Sequence, residues 1–592
     1  MILVFGGTTE GRKAIEVLEE GGSAYYYSTK TGEQEVTLHR GQRIDGALDS
    51  EAMRQFCREH QIRLIIDAAH PFAETLHQTI SDTAADLQLP VIRYERIYPP
   101  RDSDITWIDD YSQVPTDIHT LLATTGVQSI SKLKYLEEKG IKVIYRILDR
   151  ESSKALARQQ GATDSQLCFY ADGSQIDIEA DAILLKESGI SGGFQEKVAA
   201  AKARSMKVIA LKRPELHKRD GSFCVINGPY GLRRAVERLL PEFYPLHSGL
   251  TTGTCATAAA IAATKQLLGH ETPSEVFVLL PNGETIAVPV GYGNGYAYCI
   301  KEAGDDPDVT DGIEIRAHVA LAANSQKPKN KIEILGGEGV GRFTLPGFDY
   351  PVGEAAINKG PRAMIEQNIL SLLSPLTPHP SPLRITISVP QGEEIAKRTF
   401  NPRLGIEGGI SIIGVSGIVK PFSEEAFISS IRKCMEVAKA SGTERVVINS
   451  GGKSESFVKK RYPQLPAQAF VEYGNYIGET LKIANELGIR RVILGVMLGK
   501  AVKLAQGHLD THSKKATMDK AFLQQLLEES GVKVDISRIT LARELWDIIP
   551  ESQRHIFAQT VIRHCLKHCR PLLPQGELTL LLIDDNGKIY EI

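Results

Sequence analysis

Two glycine-rich runs are the first places in this 592-residue chain where residue type and spacing suggest chemistry. GGTTEGR, residues 6–12, follows four apolar residues and opens a helical pattern. A strand that breaks into glycine at a helix N-terminus leaves free backbone N–H groups and the positive end of the helix dipole facing one point, which suits a phosphate. Against G-x-G-x-x-G, Gly6 and Gly11 take the outer places and Thr8 the middle one, so the run is a variant dinucleotide fingerprint. Tight strand-to-helix packing also calls for glycine, and the motif alone leaves both readings open. About 20 residues on, where NAD-binding chains place a carboxylate on the ribose, stand Ser28, Thr29 and Lys30. Hydroxyls and an amine suit a 2′-phosphate and favour NADPH over NADH, with Lys30 as a solvated loop residue the plain alternative. The second run, GGEGVG at residues 336–341, is followed by RFTLPG, which reads as a strand. It is therefore no βαβ fingerprint, and a hairpin would explain it as well.

Other side chains carry weaker signals. His70, in DAAHPFA, falls at the C-terminal end of an apolar run, the edge where open parallel sheets bind ligands. A structural histidine beside Pro71 is the alternative. Cys255 opens a helix after TTGT, where the dipole would lower a thiol pKa; a small packing residue fits the same place. Asp305, Asp306 and Asp308 surround Pro307 and read as an Asx-type turn rather than a magnesium site. No glycine stands at the sixth place of a calcium loop. HCLKHC, residues 564–569, pairs His564 with His568 and Cys565 with Cys569 at i, i+4, but the pairs point about 100° apart on a helix. Helix surface and core packing are expected there, and no metal.

The elements that must position these residues differ between the two halves. From the start to about residue 96, apolar runs at 2–5, 24–29, 63–69 and 91–95 alternate with helical stretches such as 73–87, a pattern that indicates a parallel sheet covered on both faces. YPPRDSD, residues 98–104, interrupts as a hinge. The alternation resumes with runs at 121–126, 142–148, 181–189 and 207–214, and closes on a helix ending near Phe243. After residue 247 the texture changes to a small-residue helix, then strands such as 275–290 with an Asn-Gly turn, TISVP, ISIIGVSG and ERVVINSGG. The chain ends in a hairpin turning at residues 585–587.

Composition narrows the function classes. The chain is 42% hydrophobic and 24% charged with a formal net charge of -3, values of a globular protein with no electrostatic reason to meet nucleic acid or an anionic membrane. Eight cysteines without regular spacing point to a reducing compartment. No stretch approaches the roughly 18 apolar residues that span a bilayer. The first residues show no signal-peptide pattern, so a cytoplasmic enzyme is expected.

In their order and spacing, GGTTEGR, DAAHPFA, VIRYER, KESG and LKRPE resemble the precorrin-6A reductase family of cobalamin biosynthesis, over residues 1–243. The resemblance implies a two-lobed, Rossmann-like reductase that delivers hydride from a nicotinamide to a corrin precursor. It implies cofactor contacts at Gly6, Gly7, Thr8, Glu10, Gly11 and Arg12; Thr9 in the same run, and Ser28 and Lys30 by their spacing, complete the expected nicotinamide set. Substrate is implied near His70, Phe72, Arg93, Lys186, Ser188 and Gly189. Glu187 departs from the family's usual Thr-Lys-Asn-Ser-Gly, and CFYADG, residues 168–173, departs from its usual Gly-Pro-Phe.

HSGLTTGTCATAAAIAA, KEAGDDPDVTDG, GGEGVGRFTLPGF, AAINKGPRAMI, TFNPRLGIEGGISIIGVSGIV and GKAVKLAQGHLDTHS resemble the cobalt-precorrin-5B C1-methyltransferases over residues 247–592. Leu250 and Val496 are small departures. The resemblance implies S-adenosylmethionine on Gly336, Gly337, Gly339 and Gly341. The macrocycle's carboxylate arms call for basic side chains; Arg342, Arg362, Arg403, Lys500 and Lys503 fall inside the matching motifs, and Arg398 and Lys420 flank one of them. The substrate set expected here is Thr251, Thr252, Thr254, Cys255, Asp305, Asp306, Arg342, Arg362, Arg403, Lys500, Lys503 and His512. No residue is assigned as a catalytic acid or base.

The expected whole is a reductase lobe at residues 1–97, a second α/β lobe at 98–243, and an α+β methyltransferase with two subdomains at 247–592. The two would act in turn on cobalt-precorrin tetrapyrroles using S-adenosylmethionine and NADPH or NADH. A non-catalytic nicotinamide-binding regulatory module is the alternative reading of the first half. Self-association or other corrin-pathway enzymes are the further partners considered, with no nucleic acid and no membrane.

Overall fold

Ile2, Leu3, Val4 and Phe5 are all buried because the strand they form, β1 (Ile2–Phe5), lies inside a sheet covered on both faces. Ile2 and Val4 pack on one face with Leu18, Tyr25 and Leu64. Leu3 and Phe5 pack on the other with Met53, Ile65 and Ile80, as the two-residue period of a strand demands. The structure, a computed structural model, describes residues 1–30, 34–170, 178–214, 223–269, 272–321, 332–373, 382–513 and 515–592. Of the departure expected at residues 168–173, residues 171–173 lie outside them. Contacts divide the chain into two units, Met1–Ser248 with Phe277–Ala287, and Gly249–Val276 with Val288–Ile592.

The first unit holds two parallel sheets of six strands each. In the first, α1 (Thr9–Glu19), β2 (Tyr25–Thr29), β3 (Gly41–Asp45), α2 (Ser50–Glu59), β4 (Leu64–Asp67), α3 (Glu74–Leu87) and β5 (Val91–Tyr94) follow β1. The second contains β6 (Thr106–Ile108), β7 (Thr120–Ala123), α4 (Ile130–Glu138), β8 (Lys142–Leu148), α5 (Glu151–Gln159), β9 (Leu167–Tyr170), β10 (Ala182–Lys186), α6 (Phe194–Lys202) and β11 (Lys207–Leu211). The chain then returns: β12 (Phe223–Ile226) pairs in parallel with β5, and α7 (Pro229–Leu239) packs on α1. The strand order β12-β5-β4-β1-β2-β3 reverses its direction of growth between β1 and β4. The second sheet runs β6-β11-β10-β7-β8-β9.

The second unit is built on two five-stranded sheets. The mixed sheet, formed by Gly291–Gly293, Tyr296–Ile300, Glu314–Leu321, Leu383–Ser388 and Ile332–Gly336, packs against helix Thr252–Leu267. That helix is buried continuously from Thr252 to Thr264, which is why its residues are small. The other sheet runs Phe470–Glu472, Arg445–Asn449, Arg491–Met497, Glu577–Ile583 and Ile589–Tyr590; the first four strands are parallel and the last antiparallel. The hairpin expected at the chain's end is the pairing of the last two strands. ISIIGVSG, expected as a strand, makes only isolated bridges from Ile410 and Ile412, because glycines at positive φ, Gly414 at 149° and Gly417 at 89°, turn the chain out of a ladder. No helix among the described residues is long and apolar enough to cross a membrane.

Candidate functional site

Residues that follow β1, β4, β5 and β10 meet in the first unit. Thr8 caps α1, accepting from the Gly11 amide at 3.0 Å while its hydroxyl donates to the Ala68 carbonyl at 2.7 Å. The glycine turn is thereby pinned to the end of β4. Gly6 and Gly11 are packing glycines: a Cβ on Gly6 would lie 2.1 Å from the Tyr27 hydroxyl, and one on Gly11 2.8 Å from the Gly6 Cα. Gly7 is different. Its φ is 85°, and nothing lies within 4 Å of a Cβ placed there. Its amide donates to the Tyr27 hydroxyl at 3.0 Å and to Gln34 Oε1 at 3.2 Å. Thr9 is half-buried, Arg12 and Lys30 are exposed, and buried Ser28 accepts the Gly6 amide on its carbonyl. The turn fits a dinucleotide phosphate, since both acceptors on the Gly7 amide are side-chain oxygens and the space before it is open.

Glu10 is 4% exposed and pairs with Arg96 at 2.9 Å; the Ser191 hydroxyl donates to its other oxygen. Burial would raise the Glu10 carboxyl, but Ser191 and Arg96 together hold it below the usual range. Arg96 also donates to the Ser188 carbonyl at 2.8 Å, so one guanidinium joins the glycine turn to the loop after β10. His70 stands in the same place. Burial first, then the charges of Arg96 and Lys186, push its imidazole down to about 4. The Phe72 amide donates to its Nδ1 at 3.2 Å, which puts the ring proton on Nε2. Lys186 Nζ lies 4.9 Å from the Phe72 ring centroid, and burial beside Lys132 lowers its pKa. A cavity of about 250 Å³ opens at Gly189, lined by Tyr98, Pro99, Ile105, Trp107 and Phe194.

Arg93 sits elsewhere. It is fully buried, and its guanidinium is held by Asp67 at 2.9 Å, Glu95 at 3.3 Å and the carbonyls of Asp67 and Ala69. It braces β4 and β5 and reaches no open surface. Arg96, three residues on, occupies the cleft; VIRYER contained both, and nothing in the sequence ranked one above the other. Glu187, the departure from the family pattern, is buried between Arg101 at 2.9 Å and Arg213 at 3.1 Å.

In the second unit the expected residues fall into separate places. Thr251 caps its helix, Thr252 bonds the backbone of Ile413, and Thr254 donates to the Gly417 carbonyl at 2.6 Å. Cys255 is wholly buried. Asp306 accepts the Phe422 amide, exposed Asp305 stands beside it, and Asp308 forms the Asx turn with Thr310 and pairs with buried Lys301 at 2.8 Å. Arg342 is exposed and donates to the Gly353 carbonyl, whereas Arg362 is taken up by the carbonyls of Ile357, Ile334 and Ala355. Arg403, Lys500, Lys503 and His512 do come together, around the C-terminal ends of strands Phe470–Glu472 and Arg491–Met497. Arg403 pairs with Glu455 at 2.7 Å and lies 3.6 Å from Glu472. Lys500 donates to the Gly474 carbonyl, Lys503 to the Thr511 carbonyl beside His512. Burial pushes the Lys500 ammonium down to about 8. Glu472 was not expected from the sequence; an acid about 20 residues beyond NSGG was the available signal.

The 336–341 loop does not fit a cofactor. A Cβ on Gly339 would lie 1.8 Å from the Val389 carbonyl, one on Gly337 2.3 Å from Ser388, and one on Gly341 2.5 Å from Ile406. The amides of Gly337, Val340 and Gly341 already donate to protein carbonyls. These glycines allow backbones to touch, and they leave no cradle. Cys565 and Cys569 are core residues, and His564 pairs with Glu529 at 2.6 Å.

Comparison with known proteins agrees with this division. The CbiJ/CobK precorrin-6x reductase family matches residues 1–225, and the CbiD family matches residues 241–421. A cobalt-precorrin-5B C(1)-methyltransferase of Prosthecochloris aestuarii is 41% identical over 348 residues, 57% of this chain and 94% of its own length. Its counterpart from Geobacillus kaustophilus is 40% identical over 346 residues, 57% of this chain and 91% of its own. The class so defined is a fusion of two enzyme domains of corrin biosynthesis. The chain belongs to the cobalt-precorrin-5B C(1)-methyltransferase family and carries, ahead of that domain, one of the precorrin-6 reductase family.

Proposed function

We propose that the chain catalyses two consecutive steps of anaerobic cobalamin biosynthesis in the cytoplasm. The second unit methylates C1 of cobalt-precorrin-5B with S-adenosylmethionine to give cobalt-precorrin-6A. The first unit reduces that product to cobalt-precorrin-6B with NADPH or NADH. What carries the reading is the union of both family matches on one chain with an open glycine turn where the first sheet reverses, in a Rossmann-like strand order, the place where such sheets bind dinucleotides.

The nicotinamide supplies a hydride when bound. The chain's own residues do the rest. The Gly7 amide and the start of α1 hold phosphate in place of Gln34. Arg96, bridging Glu10 and the Ser188 carbonyl, keeps the two lobes in register around the reacting atoms. Lys186 meets a carboxylate arm of the macrocycle, and Phe72 lies against its ring. His70, neutral at physiological pH, offers an Nε2–H to the substrate. In the second unit the acceptor carbon is an enamine-like nucleophile and the sulfonium is already activated, so positioning by Arg403, Lys500 and Lys503 carries most of the task.

Mass analysis of products from anaerobic cobalt-precorrin-5B, with each cosubstrate present or withheld, tests the reading. The expected result is a gain of one methyl with S-adenosylmethionine alone, and a further two hydrogens when NADPH is added. Methylation without nicotinamide consumption would leave the first unit a regulatory module. Because His70 is deprotonated from about pH 5 upward, NADPH oxidation should show no ionisation near 6.5. An inflection there that disappears in His70→Gln would refute its neutral role.

A further inference from the structure

We propose that the methyl donor's adenosine binds in the crevice between the C-terminal ends of strands Arg445–Asn449 and Arg491–Met497, with its ribose on Glu472, and not on the 336–341 loop. The inference rests on the methyl-transfer reading and names the place of its donor. It starts from topology. The chain adds Phe470–Glu472 on one side of Arg445–Asn449, then crosses to lay Arg491–Met497 and Glu577–Ile583 on the other. Where growth reverses, the helices leave in opposite directions and a crevice opens at the carboxyl ends of the strands.

The side chains at that point form one charged cluster, in which Arg403 pairs with Glu455 and lies 3.6 Å from Glu472, and Lys500 donates to the Gly474 carbonyl. Asn449 and Glu472 are partners in parallel register, so the carboxylate stands beside the turn at residues 449–452. It lies so near Gly451 that a Cβ there would sit 2.3 Å from its Oε1, and only glycine admits it. The spacing from Gly451 to Glu472 is that of a nucleotide-binding βαβ unit, in which an acid about 20 residues beyond the glycine turn takes the ribose hydroxyls. Gly452 opens onto space, with nothing within 4 Å of a Cβ. Burial raises the Glu472 carboxyl, the buried Arg403 Nη1 makes no hydrogen bond and lies 3.6 Å from Glu472, and Lys500 stands close enough for the Glu472 charge to act on it.

The turn also decides which nucleoside. The Ser450 amide donates to Ser454 Oγ at 3.1 Å and the Gly451 amide to Asn449 Oδ1 at 2.8 Å. Unlike Gly7, whose front is open, Gly451 faces Glu472 Oε1, 2.3 Å from where its Cβ would lie, so a phosphate at this turn would meet a carboxylate, and a dinucleotide is a poor fit. A nucleoside without phosphate, bearing a diol for Glu472 and an amino-acid carboxylate for Lys500, matches the groups present. S-adenosylmethionine and S-adenosylhomocysteine have that composition.

Calorimetric titration of the full chain with S-adenosylhomocysteine tests the placement, with NADPH binding to the first unit as a control for folding. Glu472→Gln should weaken the nucleoside tenfold or more, while Glu338→Ala in the glycine loop should stay within twofold. Removing a ribose hydroxyl from the ligand should weaken wild type but add little to Glu472→Gln. Equal binding by wild type and Glu472→Gln would overturn the placement and leave the methyl-transfer reading standing. A wild-type chain that binds no S-adenosylhomocysteine would overturn both. Should Glu472→Gln not fold, ultraviolet labelling of wild type by radioactive S-adenosylmethionine decides: label within residues 445–500 supports the crevice, and label within 332–343 overturns it.

Discussion

Replacing Asp67 with alanine is expected to destabilise the first unit by about 3–5 kcal/mol, the cost of removing one partner from a buried ion network. Asp67 is wholly buried at the end of β4. One oxygen pairs with Arg93 at 2.9 Å and accepts the Ala69 amide, and the other meets His77 Nδ1 at 2.7 Å. The alanine variant would strand Arg93, itself fully buried, and free His77 from the link it makes to the His70 carbonyl. Burial alone would raise the Asp67 carboxyl, but His77 and Arg93 hold it below the ordinary range. A carboxyl lowered on folding contributes stability above its unfolded pKa of about 4 and loses it as pH falls through the folded value. The penalty should therefore be full at pH 7 and fade only in strong acid. The chain has two tryptophans, Trp107 in the first unit and Trp546 in the second. In a Trp546→Phe background, urea unfolding followed by Trp107 fluorescence reads the first unit alone. An unchanged midpoint would show that the network adds nothing.

The second large effect is expected at Gly339. With φ at 69° and a Cβ only 1.8 Å from a backbone carbonyl, alanine there meets both left-handed strain and overpacking. Each costs of order 1–3 kcal/mol, so the second unit should lose roughly 2–6 kcal/mol. Gly7→Ala is the contrast, because its φ is 85° but its surroundings are empty; the backbone cost alone, of order 1–3 kcal/mol, applies there. Trp546 fluorescence in a Trp107→Phe background measures the Gly339 variant. If Gly339→Ala folded as stably as wild type and lost only nucleoside binding, the loop would be a ligand cradle after all.

These two glycines show where legibility stopped. Both stand in glycine-rich runs that look alike as text, and only the neighbours across space distinguish them. Gly7 faces an opening, whereas Gly339 touches Val389, fifty residues away along the chain. Similarly, VIRYER presented Arg93 and Arg96 equally. Side-chain alternation along β5 buries Arg93 against Asp67, and the loop beyond the strand carries Arg96 to Glu10. The pairing of β12 with β5 was hidden for a related reason. A parallel neighbour is chosen by the fit of whole sheets and helices, and FCVI has no local mark of the strand it joins.

By itself the sequence determined what depends on near neighbours. Apolar runs of four to seven residues between amphipathic helices specified parallel strands such as β4, β8 and β11, and long ordered motifs specified the two families joined on the chain. Tertiary structure alone decided where each polar group stands and what it meets. Arg93 is buried against Asp67 and Arg362 is bound to backbone carbonyls, while Glu472, beside Arg403, and Lys500, on the Gly474 carbonyl, stand near the place where a sheet reverses its growth. The physical reason is that burial and charge pairing are set by residues distant in sequence, so a side chain's chemistry depends on partners that no local pattern names.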